Sequence, residues 1–402
     1  MIWEMKKIYY RGYQRVLNTA LNLMTYPIPE LLTGAGSVIK LPSEIKKRNC
    51  NNILIVTDKI LYDLGLLNSL TDELKKQNIE FSIFNGVNPN PTIQNVEDAL
   101  KLYKKDNCSC VIGFGGGSSM DCAKVVAARV TNNKTVSQMR GNFKLKKKTA
   151  PLYLVPTTAG TGSETTVAAV IVDPTIHEKF AICDFKVVPK VAVIDANLML
   201  GLPKHITSTT GMDALTHAVE AYIGKSRTKK TDENAEKCVK IVFDSLEKVY
   251  EDGSNIKLRE EMGMAAFYGG VAFTRAFVGY VHAIAHTLGG LYGIPHGLAN
   301  AIILPYMLEY FGSSIYDRLA KLAVITDIGS ENESNEELSK KFINKIWEMN
   351  RNMNIPDGFK EIKEEDVILI AKTAIKEGNP GYPVPKIMTL DECITIVRKL
   401  MR

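Results

Sequence analysis

The chain has 402 residues, 45% hydrophobic and 23% charged, with a formal net charge of +6. A single core seldom serves so long a chain, so two domains are expected. The charge is too mild and dispersed to argue for a nucleic-acid partner, no apolar run reaches the roughly 18 residues of a membrane span, and nothing resembles a secretory leader.

Seven cysteines, an odd number without paired spacing, point to free thiols, a reducing compartment and a cytoplasmic location. Cys108 and Cys110 open an apolar run and read as small buried strand residues. Lys146, Lys147 and Lys148 form a short basic run that reads as a solvated loop.

In chain order, the residues before Tyr26 come first. Lys6, Lys7, Arg11 and Arg15 accompany Ile8, Val16, Leu17, Ala20, Leu21 and Met24 in a basic amphipathic pattern. An organelle transit peptide or a surface-binding helix has this pattern, and so does an extra helix packed on the body or on a partner subunit, which is the one expected. After the turn at Pro27 to Pro29 the pattern changes to short β-branched runs alternating with helical stretches. Residues 53–57, 81–84, 110–114, 152–155 and 191–194 read as buried strands, and 92–105 and 118–130 as helices. That alternation predicts a mostly parallel sheet with helices on both faces, an α/β Rossmann-like scaffold for a nucleotide.

Two stretches follow strands of this scaffold. GGGSSMDCAK, Gly115 to Lys124, lets backbone N–H groups approach a phosphate at the start of a helix. A tight strand-to-helix turn needs glycine too, and there is no GxGxxG dinucleotide fingerprint. PTTAGTGSE, Pro156 to Glu164, carries more small polar residues than a plain turn needs, which suggests a loop facing a ligand. Asp58, at the end of the first of these strands, suits either an adenosine ribose or a helix N-cap.

Beyond Pro203 the strand signals stop. Nine stretches between residues 208 and 401 read as helices, so an all-α second domain, 204–402, follows an α/β domain, 1–203, with residues 1–26 as an N-terminal extension. Within the helical half, GYVHAIAHTLGGLYGIPHGLANAIILP carries His282, His286 and His296, three of the six histidines. His282 and His286 share a helix face, and His296 follows a Gly-Gly and a Pro that fold the chain back. Upstream, GMDALTHAVEAY sets Asp213 and His217 at the same four-residue spacing. An oxygen ligand and several imidazoles from two or more helices suit a divalent metal such as Fe(II) or Zn(II).

With these pieces in place, the sequence resembles the iron-containing, or group III, alcohol dehydrogenases of the dehydroquinate synthase-like superfamily. The resemblance runs from about Pro29 to the C-terminus and is carried by PNPT from Pro89, GGGSSMD, PTTAGTGSE, GMDALTHAVEAY and the histidine stretch, in this order. It implies a Rossmann-like domain followed by a helical domain, with the active site in the cleft between them. It also implies the metal ligands Asp213, His217, His282 and His296, with His286 near the nicotinamide and substrate as a proton relay. For the cofactor it places Asp58 at the adenosine ribose, Gly116, Gly117 and Ser118 at the pyrophosphate, Thr157, Thr158 and Thr161 along the nicotinamide half, and Lys179 near its ribose. Asn90 and Asp121 match motif positions in the same cleft. An aspartate at position 58 repels a 2′-phosphate, so NAD is favoured, with NADP as the alternative cofactor.

The implied reaction is the reversible oxidation of a small alcohol to an aldehyde or ketone, with Fe(II), or Zn(II) in its place, as Lewis acid and nicotinamide as hydride acceptor. A homodimer or higher homo-oligomer is expected. Glycerol dehydrogenase, a zinc-dependent polyol oxidoreductase, is the nearest rival, and a dehydroquinate synthase-like NAD- and metal-dependent lyase is the rival of another class. PTTAGTGSE and the Asp-x-x-x-His pair favour the alcohol dehydrogenase, and a non-catalytic binding protein would need broken ligands, which are absent. Two departures from the family pattern remain: the leader before residue 26, and Ala272 to Phe277, where Arg275 and Phe277 replace small or amide side chains and are expected to alter the pocket.

Overall fold

The computed structural model describes residues 2–175 and 178–402. In chain order its principal elements are α1 (Ile2–Asn22), β1 (Glu30–Thr33), α2 (Leu41–Lys46), β2 (Asn52–Val56), α3 (Lys59–Asp63), α4 (Asn68–Lys76), β3 (Glu80–Phe84), α5 (Ile93–Lys105), β4 (Cys110–Gly115), α6 (Gly117–Thr131), β5 (Gly141–Asn142), β6 (Leu152–Pro156), β7 (Ala168–Asp173), β8 (Glu178–Cys183) and β9 (Val191–Ile194). Helices follow to the end: α7 (Lys204–Ile223), α8 (Lys229–Glu251), α9 (Ile256–Ala276), α10 (Tyr280–Tyr292), α11 (His296–Phe311), α12 (Tyr316–Ile325), α13 (Asn335–Asn352), α14 (Val367–Gly378) and α15 (Leu390–Lys399).

The chain forms two compact units, one of Tyr26–Leu202 and Gly253–Gly270, the other of Met1–Thr25, Pro203–Asp252 and Val271–Arg402. One cut near residue 204 does not describe this division, because α1 groups with the helical unit and the first part of α9 with the α/β unit. Local packing gives the reasons. Arg11 and Gln14 of α1 hydrogen-bond to backbone carbonyls between Pro380 and Pro385. On α9, a Cβ at Gly263 would lie 2.6 Å from Ile194 Cγ2, and one at Gly270 2.9 Å from the Gly162 carbonyl.

The α/β unit is built on a six-stranded parallel sheet in the order β1-β9-β6-β4-β2-β3. Its central strands β2, β4, β6 and β9 are mainly apolar because both faces are buried, and successive side chains serve opposite cores. Leu54, Val56, Val111, Leu152 and Leu154 pack in one cluster with α6, while Ile53, Ile55, Cys110, Ile112, Tyr153 and Val155 pack in the other. Parallel pairing brings the C-terminal ends of β2, β4 and β6 to one edge, so Asp58, the glycine run and the PTTAGTGSE loop emerge together. The edge strand β1 and a second sheet, β5-β8-β7, were not among the expected strands. β8 alternates exposed and buried positions instead of forming a uniform apolar run, and β1 has only four residues with exposed ends.

In the helical unit, α7 is buried from Gly211 to Ile223, and α11 is buried over most of Ala299 to Phe311. These central helices carry small and apolar residues all round, whereas outer helices such as α8 and α13 bury one stripe. A polar side chain on α7 or α11 must therefore find a partner inside the unit.

Candidate active site

Asp213 and His217 lie one turn apart on α7, His282 on α10 and His296 at the first position of α11. One ligand atom from each lies within 4.8 Å of all the others, with Asp213, His217 and His282 buried. Among the described residues, no other histidine, cysteine and carboxylate group converges in this way. The chain reversal that delivers His296 is not made by Gly289-Gly290, which lie inside α10; Gly293, in the left-handed region at φ 69°, and Pro295 make it. Burial of α10 through Gly289 outweighs the ~1 kcal/mol that each glycine costs a helix.

The donor chemistry of this cluster fits a divalent cation. Asp213 Oδ1, His282 Nε2 and His296 Nε2 lie 2.7, 3.2 and 3.2 Å from Nδ2 of Asn300. An amide group has two hydrogens for these three acceptors, and Asn300 Oδ1 is buried without a hydrogen-bond partner. Three candidate ligand atoms thus crowd one buried amide nitrogen that cannot donate to all of them, an arrangement that suits a positive ion with nitrogen and oxygen ligands.

Further side chains hold the ligands. Glu220, one turn beyond His217, accepts from the Val281 N–H at 2.8 Å and lies 2.6 Å from His282 Nδ1. With Glu220 as the acceptor, the ring proton sits on Nδ1 and Nε2 is the candidate ligand atom. Burial pushes the Glu220 carboxyl up to about 7, and burial, followed by the neighbouring imidazoles, drives the His282 pKa well below the usual range, which keeps its ring neutral. Phe273 stacks on His217 at 4.1 Å. His286 is outside the ligand set: its ring stacks on His296 at 5.2 Å, and its Nδ1 lies 2.7 Å from Glu377 Oε1.

In the α/β unit, Gly115 has a φ of 145°, a conformation that favours glycine, and Gly116 caps α6. A Cβ at Gly117 would lie 3.0 Å from Thr161 Cγ2 and one at Gly116 3.6 Å from Thr158 Oγ1, so the glycine turn faces the PTTAGTGSE loop across a narrow space open to backbone N–H groups. Thr157 is buried, and its N–H donates to the Gly115 carbonyl. Asn90 joins two other expected residues: its N–H donates to Ser118 Oγ at 3.2 Å, and its Oδ1 accepts from Lys179 Nζ at 2.8 Å. Burial lowers the Lys179 pKa. Asp58 Oδ1 caps α3 by accepting from the Leu61 N–H at 3.0 Å. Both Asp121 oxygens are engaged within the fold, one by Ser163 Oγ at 2.7 Å and one by the Val170 N–H at 2.9 Å, so Asp121 holds the loop to α6.

Glu220, Asn300 and Glu377 were absent from the expected site. The first two had a signal, since Glu220 is three residues after His217 and Asn300 four after His296, spacings that share a helix face. Glu377 had none, being 91 residues from His286. The two departures from the family pattern prove to be partly one feature. Arg275 is buried and donates to the Ser226 carbonyl and to Asn18 and Asn22 of α1, so its guanidinium serves the leader helix. Phe277 adopts φ 68° and closes the last turn of α9 through its N–H to the Phe273 carbonyl, at 2.7 Å.

Comparison with known proteins agrees with this geometry. A family model described as iron-containing alcohol dehydrogenase matches residues 29–196, and one described as the C-terminal part of the Fe-containing alcohol dehydrogenase family matches residues 207–401. Alcohol dehydrogenase 4 of Schizosaccharomyces pombe is 37% identical over 395 residues, covering 97% of this chain and 92% of the yeast protein. The NAD-dependent methanol dehydrogenase of Bacillus methanolicus is 32% identical, covering 93% and 98%. The crystal structure of a 1,3-propanediol oxidoreductase superposes with a TM-score of 0.91 at 34% identity, covering 94% of this chain and all of that one. With both halves matched and the metal donors converging, the chain belongs to the iron-containing alcohol dehydrogenase family and is an NAD-dependent, metal-linked alcohol oxidoreductase.

Proposed function

We propose that the enzyme interconverts small primary or secondary alcohols with their aldehydes or ketones, holding iron on Asp213, His217, His282 and His296. The observation that carries this assignment is the convergence of three lone-pair atoms on one buried amide. When bound, the metal supplies Lewis-acid polarisation of the substrate oxygen and the nicotinamide accepts the hydride. The protein's part is to fix ligand geometry through Glu220 and Asn300, to bind the nucleotide, and to move a proton. Proton movement is assigned to His286, which packs on His296 yet is 34% exposed, so its ring reaches both the ligand cluster and water.

For the nucleotide, the reading assigns the pyrophosphate to Gly116, Gly117 and Ser118, the nicotinamide half to Thr157, Thr158, Thr161 and Lys179, and the ribose hydroxyls to Asp58, with Asn90 and Asp121 holding this surface in shape. The glycine turn at the start of α6 supports the first assignment. Asp58→Gly is expected to relax the NAD preference over NADP by about 1 to 3 kcal/mol, the scale of one charge repulsion in a partly solvated site. Glycine costs an N-cap only a few tenths of a kcal/mol, so folding should survive. An unchanged ratio of kcat/KM values for NADP and NAD would leave Asp58 only its capping role.

Fe(II) is expected to outperform zinc at equal occupancy. Asp213, His217, His282 and His296 would together supply four ligands, the number zinc prefers, and catalysis would need at least one position more. Zinc nevertheless binds nitrogen and oxygen ligands more tightly, so affinity and activity should favour different metals. Stripped protein reloaded anaerobically with each metal, and assayed on alcohols and aldehydes by NADH absorbance, tests metal and substrate class together. Methanol and 1,3-propanediol, which appear in the names of relatives, belong on that panel. Equal or better turnover with zinc would move the assignment toward a glycerol dehydrogenase type. A cytoplasmic, homo-oligomeric enzyme completes the reading; the compartment is supported by all seven cysteines being free thiols.

A further inference from the structure

The C-terminal end of α14 and the segment after it carry a partly buried acid and a phenol that the proposed chemistry has not used. Glu377 Oε1 lies 2.7 Å from His286 Nδ1 and accepts from Tyr382 Oη at 2.8 Å. With Glu377 as the acceptor in this contact, the ring proton sits on Nδ1 and Nε2 is the acceptor nitrogen of the ring. The segment bearing Tyr382 is itself tied down from α1. Arg11 donates to the carbonyls of Val384 and Pro385 at 2.7 and 2.9 Å, and Gln14 to those of Pro380 and Tyr382 at 3.2 and 2.7 Å. Arg11 also donates to Gln14 Oε1, so the two side chains act as one clamp. Tyr280 Oη, from α10 itself, donates to Asn379 Oδ1 at 3.1 Å.

We propose that Glu377 is the positioning residue for His286, fixing its tautomer and ring orientation, and that Tyr382, on a segment strapped by the N-terminal helix, fixes Glu377. This inference rests on His286 being the proton relay. The carboxylate works through the imidazole, its side-chain partners being His286 and Tyr382, so its loss should slow proton movement without disturbing metal binding. The leader helix thereby acquires a role in the chemistry, because its clamp on residues 380–385 sets the position of a side chain that bears on proton movement.

The test compares the iron-loaded full-length enzyme with Glu377→Ala, Glu377→Gln, His286→Ala and the double variant His286→Ala/Glu377→Ala. Metal content, kcat, KM for alcohol and the solvent deuterium isotope effect on kcat are measured for each. Glu377→Ala is expected to lose about 10- to 100-fold in kcat, as typically follows removal of a carboxylate that orients a functional imidazole. Its metal content and KM should stay unchanged, and its solvent isotope effect should rise. Glu377→Gln, whose Oε1 still accepts from Nδ1–H, should recover much of that loss, and the double variant should be no slower than His286→Ala. A further loss in the double variant, depleted metal in Glu377→Ala or Glu377→Gln, or a Glu377→Ala kcat within about twofold of the parent would each overturn the inference. If His286→Ala alone keeps full turnover, the relay assignment has failed and the positioning role falls with it. A slow His286→Ala beside a fast Glu377→Ala overturns the positioning role and leaves the relay standing.

Discussion

His282→Ala is expected to empty the metal site and abolish turnover together. His282 contributes one of the three lone pairs that meet at Asn300, and it is also the partner of buried Glu220. Its removal takes away a candidate ligand and the side-chain partner of buried Glu220 Oε2, a loss of ~1 to 3 kcal/mol in stability beyond the metal itself. The activity loss should exceed the roughly 10- to 100-fold that follows removal of a group merely supporting a ligand. His286→Ala, one turn along the same helix, should retain stoichiometric metal and lose turnover by about 10² to 10⁴, the usual range for a general acid–base group. Elemental analysis of both variants against wild type, beside kcat, separates the two histidines; equal depletion of metal in His286→Ala would show that the division of roles is wrong.

Gly297→Ala is expected to weaken metal binding although residue 297 is no ligand. A Cβ there would lie 2.5 Å from the Thr209 carbonyl oxygen and 2.9 Å from its carbon, so it would meet the backbone of α7 and not a flexible side chain. α11 must then move away from α7, carrying His296 away from Asp213, whose Oδ1 is 3.6 Å from His296 Nε2. Overpacking of this kind costs about 1 to 3 kcal/mol. Here it should appear both as a lower unfolding midpoint and as a weaker apparent affinity for Fe(II) or Zn(II) in a chelator competition. Unchanged metal affinity would mean that the α7–α11 spacing has slack the geometry does not suggest.

Most of the parallel sheet was legible in the chain because its strands are buried on both faces and so read as uniform apolar runs. The strands that escaped are those whose burial depends on a neighbour: β1, which pairs only with β9, the two-residue β5, and β7 and β8, which have mixed burial. The helical half was legible as helix, with ends differing by a few residues. A Gly-Gly and a Pro are expected to fold the chain back before His296; the Pro does so together with Gly293, but α10 continues past Gly290 to Tyr292, since local propensity is small against burial on a packed helix.

The same distinction holds at the site. Ligand type was determined by the sequence, because the spacing Asp213 to His217 and the histidines of the 279–305 stretch are local patterns on helices whose faces follow from 3.6 residues per turn. Which of His282 and His286 joins the metal set depends on family resemblance in the sequence, whereas in the structure the two are told apart by position: His282 offers an atom within 4.8 Å of those of Asp213, His217 and His296, and His286 turns its Nδ1 to Glu377. Glu377 comes from a helix far along the chain, and the clamp on its neighbours comes from the first turns of the chain, contacts with sequence separations of 91 and up to 374 residues. Periodicity records the face a residue occupies on its own element. Only folding, which juxtaposes distant elements to bury their polar groups in pairs, decides which side chain that face meets.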